Sequence, residues 1–346
     1  MNKILTLTVA VVCSALISAA ASFTAGNLAV LRIGDGVNPL VNSNGAVSIL
    51  EVAPAGGVVQ TIAIDSSTNG NGINISGNAT SEGQLVADTS KTALSFGGYW
   101  ILGGSGSLSG RSSANAPRVW GKVANDGTYT AGGTATFYNV GTTKNIRAVA
   151  LNGADAYGAF SGSLNLGTIQ ITNVNSRGLL IHGGNLYYST GSGAVGTYAY
   201  VGFPTVPTAA AQMIINPSTG FDPYDFAISP GTLANGSSIY IANGTISLVQ
   251  RWNFDGATWT LANTFTNTEA VYGIAVDFGA PQPIVYAAAP NALYMVVDAG
   301  SNATMTSILS AGANYVFRGL DWAPVPEPAA LGLLAAALVL ARRSRR

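Results

Sequence analysis

Tyr224-Asp225-Phe226-Ala227, Tyr272-Gly273-Ile274-Ala275 and Arg318-Gly319-Leu320-Asp321 share one pattern and begin 48 and 46 residues apart. Each opens on a bulky polar or aromatic residue, usually follows it with a small one, and runs on as a short β-like stretch. Three earlier segments read the same way: Glu82-Gly83-Gln84-Leu85, Arg147-Ala148-Val149-Ala150 and Arg177-Gly178-Leu179-Leu180. The five intervals from Glu82 onward are 65, 30, 47, 48 and 46 residues. The last three match the roughly 40–50 residues of a four-stranded propeller blade. In the clearest unit, Tyr224 to Ile228 is followed by Ser238 to Ala242, Leu248 to Asn253, the turn Asp255-Gly256, and Thr258 to Asn263. The next unit repeats this meander as Tyr272 to Asp277, Ile284 to Ala288, Ala292 to Asp298 and Met305 to Leu309.

Frequent turn dipeptides agree with antiparallel hairpins: Asp35-Gly36, Asn44-Gly45, Asp126-Gly127, Asn152-Gly153, Asn235-Gly236, Asn243-Gly244 and Asp255-Gly256. Such pairs supply the positive φ angles that tight hairpins need. The sixth repeat halts after one strand, because Pro324 follows Ala323. Three strands are available at the other end of the chain, as Leu28 to Ile33, Ala46 to Val52 and Val58 to Ile64. Pairing the last strand with these three closes a ring and removes the exposed edges of an open array. The expected fold is an all-β, six-bladed β-propeller over residues 22–323. Seven blades are the alternative if the 65-residue interval hides one. A Gly- and Asn-rich parallel β-helix would show a shorter period than the one present.

The 346 residues carry 9% charged side chains, against roughly 25% in an average globular domain. Formal charge is balanced at 15 and 15, but Lys3, Arg342, Arg343, Arg345, Arg346 and Glu327 lie in terminal segments. Without them the body has 10 basic and 14 acidic residues, 10 − 14 = −4. That balance argues against a nucleic-acid partner, whose phosphates require clustered Lys and Arg.

At the N-terminus, Asn2 and Lys3 precede an apolar run from Ile4 to Ile17 and the small residues Ser18 to Ser22. This order is that of a secretory signal peptide, expected over residues 1–21. The lone Cys13 falls inside it. The bulky Val12 before it and its early position disfavour a lipid-attachment site. A mature chain without cysteine has no disulfide, thiol nucleophile or cysteine zinc site. At the C-terminus, Val325-Pro326-Glu327-Pro328 leads into the apolar stretch Ala329 to Ala341 and then Arg342, Arg343, Ser344, Arg345 and Arg346. Such a stretch is short for a stable span of a ~30 Å hydrocarbon core, and the basic cluster behind it would be held on the cytoplasmic side.

This tripartite arrangement over 325–346 resembles the PEP-CTERM sorting signal of Gram-negative bacteria. The resemblance implies recognition by an exosortase near Pro326, Glu327 and Pro328, and passage through the secretion machinery. It also implies a transient hold in the inner membrane before release to the cell surface or beyond. The body also resembles secreted propeller proteins that carry this tail. That likeness rests on Gly26 to Gly36, Ala79-Thr80-Ser81-Glu82-Gly83, Tyr224 to Phe226, and Phe317-Arg318-Gly319. It implies fold and destination, and transfers no catalytic residue.

Catalytic patterns are thin. Gly191-Ser192-Gly193-Ala194-Val195-Gly196 fits G-x-G-x-x-G, but Thr197 to Val201 continues as a strand where a dinucleotide site needs a helix. A hairpin is expected there. His182 is the only histidine and precedes Gly183-Gly184 at a turn, with no G-x-S-x-G elbow to partner it. Asp222 and Asp225 flank Pro223 and could meet a sugar or cation, without the spacing of a calcium loop. Asp255 to Trp259 falls one residue short of a sialidase-type Asp-box and reads as a hairpin turn with a buried tryptophan. No cofactor, metal ligand set or catalytic residue is expected.

The repeat itself supplies one constellation. If the six segments are innermost strands, Glu82, Arg147, Arg177, Tyr224, Tyr272 and Arg318 stand at equivalent places around the channel. Forked arginine donors and tyrosine faces suit an anionic or carbohydrate ligand. The competing reading is that these residues pair with neighbouring blades and hold the ring shut. The leading functional expectation is a non-enzymatic envelope or matrix module binding polysaccharide or another surface protein. A carbohydrate-active enzyme with carboxylates at the channel mouth and a structural biofilm component are the alternatives.

Overall fold

Strands covered on both faces read as continuous apolar runs rather than alternating ones, and Leu28–Ile33 is such a strand, buried at every position but Arg32. The computed structural model explains why. It describes residues 21–67, 72–133, 138, 144–208, 211–215 and 221–325. The chain forms six antiparallel sheets arranged as a six-bladed β-propeller. In chain order, β1 (Leu28–Ile33), β2 (Val47–Val52) and β3 (Val58–Ala63) come first. Blade I is β4 (Val86–Ala87), β5 (Ala93–Tyr99), β6 (Arg118–Ala124) and β7 (Tyr129–Gly132). Blade II is β8 (Ile146–Asn152), β9 (Asp155–Phe160), β10 (Ser163–Leu166) and β11 (Ile169–Thr172). Blade III is β12 (Ser176–His182), β13 (Asn185–Thr190), β14 (Gly196–Tyr200) and β15 (Gln212–Ile215). Blade IV is β16 (Pro223–Ile228), β17 (Ser238–Asn243), β18 (Leu248–Phe254) and β19 (Trp259–Thr266). Blade V is β20 (Gly273–Asp277), β21 (Ile284–Ala288), β22 (Ala292–Val297) and β24 (Thr306–Ser310); the short β23 (Ala303–Thr304) leaves it to pair in parallel with β19.

The last strand, β25 (Val316–Trp322), completes blade VI by pairing with β1, placing Val30 opposite Leu320 and Leu28 opposite Trp322. The ring therefore closes through one C-terminal and three N-terminal strands, as the sequence predicts. The described part of the 65-residue interval holds no further blade. Its extra length includes the connection from Tyr99 to Arg118, with one 3-10 turn at Leu108–Gly110. Among the described residues no helix is long and apolar enough to cross a membrane. The expected signal peptide (apart from Ala21) and the sorting residues Pro326, Glu327, Pro328, Arg342, Arg343, Arg345 and Arg346 lie outside the described residues.

Six apolar clusters fill the six seams between blades. On β1, Leu28 and Val30 point into the seam with blade V, while Ala29, Leu31 and Ile33 point into the seam with blade I. Every blade is thus a filling between two neighbours. That leaves turns and outer strands as the polar surface and accounts for the scarcity of charge.

Five of the seven turn glycines adopt the expected positive φ: Gly36, Gly127, Gly153, Gly236 and Gly256. Gly45 and Gly244 do not, and they are small for a different reason. A Cβ on Gly45 would lie 2.4 Å from the Ile75 carbonyl oxygen, and one on Gly244 would lie 2.0 Å from the Tyr224 ring. The G-x-G-x-x-G segment is the hairpin between β13 and β14. At Asp255 the turn is tied by both carboxylate oxygens, which accept from Ala257 N, Thr258 N and the Thr258 hydroxyl. Trp259 beside it is half-buried and stacks on Phe254 at 5.0 Å, rather than being buried outright.

Candidate functional site: a belt and a blind channel

All six repeat segments enter or form the innermost strands, so Glu82, Arg147, Arg177, Tyr224, Tyr272 and Arg318 do occupy equivalent places. In blades II, III, IV and VI the bulky residue falls where the pairing register slips, as at Arg147 between Ile146 and Ala148. A bulge re-aims a side chain out of its blade, and here it sends each toward the next one.

The result is a belt that runs once around the ring. Buried Glu82 accepts from Tyr99 Oη and Asn145 Nδ2, both at 2.7 Å, and from Ser76 N at 3.1 Å, joining blade I to the start of blade II. Arg147 Nη1 donates to Asn175 Oδ1 at 2.5 Å and to the Ser176 carbonyl at 2.8 Å, reaching blade III. Arg177 Nη2 meets Asp222 Oδ2 at 3.0 Å, and its guanidinium lies 4.2 Å over the Tyr224 ring. Tyr224 and Tyr272 sit 4.9 Å apart, and the Arg318 guanidinium is 5.6 Å from the Tyr272 ring. Arg318 then donates from Nε to the Ala79 carbonyl and from Nη2 to the Gly77 carbonyl, returning to the approach to blade I. Burial pushes Arg147 and Arg318 down to about 10 and raises Glu82, whose hydrogen bond from Tyr99 works the other way.

The small residue after each belt residue has a matching cause. A Cβ on Gly178 would lie 2.4 Å from the Tyr224 carbonyl oxygen, one on Gly273 2.6 Å from Leu320 N, and one on Gly319 2.3 Å from Leu85 N. Neighbouring inner strands touch backbone to backbone. Of the two readings of the six residues, this geometry fits the interlocking one, since the charged ones bond side chains and main-chain groups of neighbouring blades and approaches.

Beyond the belt the inner strands diverge around a cavity of about 950 Å³. Its wall is chiefly apolar, with Leu179, Phe226, Ile274, Val276, Leu320 and Trp322 among its residues, and Thr89, Lys91, His182 and Thr232 also line it. The expected turn histidine is therefore on the channel, with a ring nitrogen 2.9 Å from the Gly231 carbonyl oxygen, and burial holds it below its ordinary value.

Of the four aspartates in the wall, Asp88, Asp225, Asp277 and Asp321, the buried pair Asp225 and Asp321 join blades. Asp225 Oδ2 accepts from Ile274 N of blade V at 3.0 Å, and its Oδ1 from Phe226 N at 2.9 Å. Asp321 Oδ2 accepts from Ala87 N of blade I at 2.9 Å, and its Oδ1 from Trp322 N at 2.7 Å. Burial raises Asp225 well above the usual carboxylate range and Asp321 to about 6. The sequence held one clue to the first of them: Asp225 stands where its sister repeats have Gly or Ala. Asp321 left no such trace. Asp222, its other candidate carboxylate, is spent on Arg177. Among the described residues no group of three His, Cys, Asp or Glu could hold a metal ion.

A carboxyl raised on folding binds protons more tightly folded than unfolded. Its contribution is therefore greatest below its unfolded value, near 3.9, and is lost as pH climbs through its folded value. For Asp321 that window runs from about 4 to about 6. The melting temperature is expected to be higher at pH 5 than at pH 7, and Asp321→Asn should reduce that difference, leaving the share of Asp225 and Glu82, which burial also raises. An unchanged slope in the variant would assign the effect elsewhere.

No protein-family model matches the sequence, and neither does any curated protein sequence. Among solved structures, the chain is similar to a provisionally assigned 6-phosphogluconolactonase from Bacteroides uniformis, at 15% identity and a TM-score of 0.47, covering 87% of this chain and 83% of that one. It is also similar to another such protein from Bacteroides fragilis, at 12% identity and a TM-score of 0.43, covering 83% and 81%. A provisionally assigned gluconolactonase matches at 11% identity and a TM-score of 0.41, covering 70% and 91%. Likenesses of this size transfer no activity.

Proposed function

We propose that this propeller is an exported, non-catalytic binding module of the cell envelope, sorted by an exosortase through its tail, and that its ligand occupies the wide half of the central channel. The cavity carries the reading. Its volume of about 950 Å³ lies within the ~300–1,000 Å³ of small-molecule sites, and apolar walls with a few polar groups are the usual make-up of such sites. The belt supports a blind channel, because Glu82, Arg147, Tyr224, Tyr272 and Arg318, which would admit a ligand from that side, are buried against neighbouring blades. Contact is favoured over turnover by the two buried wall carboxylates, since both oxygens of Asp225 and of Asp321 accept main-chain N–H groups.

The test uses the ring without its terminal segments, since among the described residues every strand lies between Leu28 and Trp322. A panel of saccharides and amphiphiles is screened by thermal shift, with product analysis of every hit. At least one compound is expected to raise the melting temperature without being converted, and Ala227→Phe, which narrows the cavity, should remove that rise. Release of reducing ends would replace this reading with a glycosidase. A panel without hits would leave a structural role.

A further inference from the structure

Both ends of the chain meet the cavity. Ala25 and Gly26 line it from the N-terminal side, and Ala323 and Val325 from the C-terminal side. This follows from the fold: the innermost strands of blades I, III, IV, V and VI run from the belt into the cavity wall, so β25 begins near Arg318 at the closed end and delivers the chain to the open one. In sequence, Pro326, Glu327 and Pro328 are all that separate Val325 from the apolar stretch Ala329 to Ala341. Four Cα steps reach at most about 14 Å. The other apolar run, Ile4 to Ile17, joins the ring on the same side, through Ala25 and Gly26. Whichever of them is held in a bilayer, the cavity is the part of the ring kept next to it.

We infer that the cavity takes the alkyl chain of an uncharged or zwitterionic membrane lipid, entering from the bilayer to which the tail is held. The inference rests on the binding reading above and names its ligand. Ile181, Ala227, Phe278, Ile284 and Trp322 line the cavity and are only partly buried, so they offer it apolar surface that a saccharide would leave unmatched. Charge sets the headgroup. Asp88 and Asp277 line the cavity together with Asp225 and Asp321, four carboxyls against the one ammonium of Lys91, which disfavours an anionic head. Asp88 is tied by Thr92 N and Oγ1, one oxygen of Asp277 by Gly279 N, and the Thr89 hydroxyl donates to Asn152 Oδ1, so Thr232 is an uncharged partner for a head.

Two measurements test it. The full chain is placed in phosphatidylcholine vesicles whose acyl chains carry a mid-chain nitroxide, and the Trp322 emission is taken as the difference from a Trp322→Phe chain. Quenching of that component by at least half is expected, and its loss in Ala227→Phe, with Ala227→Leu as the milder variant. No quenching, or quenching that survives both variants, would overturn the inference. Separately, the ring is titrated with methyl, hexyl, octyl and decyl glucosides below their micelle concentrations. Each pair of methylenes should tighten binding about tenfold. Equal affinity for methyl and decyl glucoside would overturn the lipid assignment while leaving a binding module that reads sugar. Absence of binding by any glucoside would overturn it too, and only an empty panel in the wider screen would remove the binding reading as well.

Discussion

Gly319→Ala is expected to destabilise the propeller by about 3 kcal/mol, at the upper end of ordinary overpacking, lowering the melting temperature by roughly 6–12 °C. The added methyl would sit 2.3 Å from Leu85 N and 2.4 Å from the Gly83 carbonyl oxygen. Both are main-chain atoms of the approach to blade I, so relief requires the two blades to part. Such movement disturbs the belt and both flanking seams together. Gly57→Ala is the matched control, because nothing lies within 4 Å of its Cβ position and its φ is not positive. There the change should be within about 0.5 kcal/mol. Equilibrium denaturation of both variants decides the matter, and equal effects would mean that the inner strands are not in rigid contact.

Asp298→Ala should cost about 3–5 kcal/mol, the range for breaking a buried pair from one side. The Asp298 side chain is 0% exposed and ties blade V to blade IV. Its Oδ2 accepts from Tyr240 Oη at 2.6 Å and from Arg251 Nη1 at 2.9 Å, and its Oδ1 from Asn263 Nδ2 and Gly300 N, both at 2.9 Å. Removing the carboxylate strands four donors at once. Arg251→Met alone should also destabilise, and the double variant should lose less than the sum, since the two share one network. Strict additivity in a denaturation-based double-mutant cycle would show that Arg251 and Asp298 act independently.

The phase of the repeat was legible because inner strands meet backbone to backbone, which forces a small residue at one fixed place in most units. Gly178, Gly273 and Gly319 wrote that constraint directly into the chain. The seam was legible for an arithmetical reason: one strand left over at the end and three at the beginning. The belt was half legible. Equivalence of Arg177, Tyr224, Tyr272 and Arg318 follows from register, but whether a guanidinium faces a ligand or the next blade depends on a bulge that no pattern announces. Asp298 and Arg251 left no trace, since they belong to different blades and meet only once both are folded. The cavity was invisible for a related reason. Its wall residues, such as Phe226 and Ile274, read as ordinary core until the ring leaves space beside them.

The closing strand has a consequence for timing. Val30 cannot find Leu320 until almost the whole chain is available, and contacts of such sequence separation form late. If the chain crosses a membrane N-terminus first, blade VI stays incomplete until Trp322 has emerged. Until then an unfinished ring is easier to thread through a narrow conduit than a finished one. On the export route proposed above, the last strand would be a latch that falls as the tail arrives, coupling the end of export to the start of the native state.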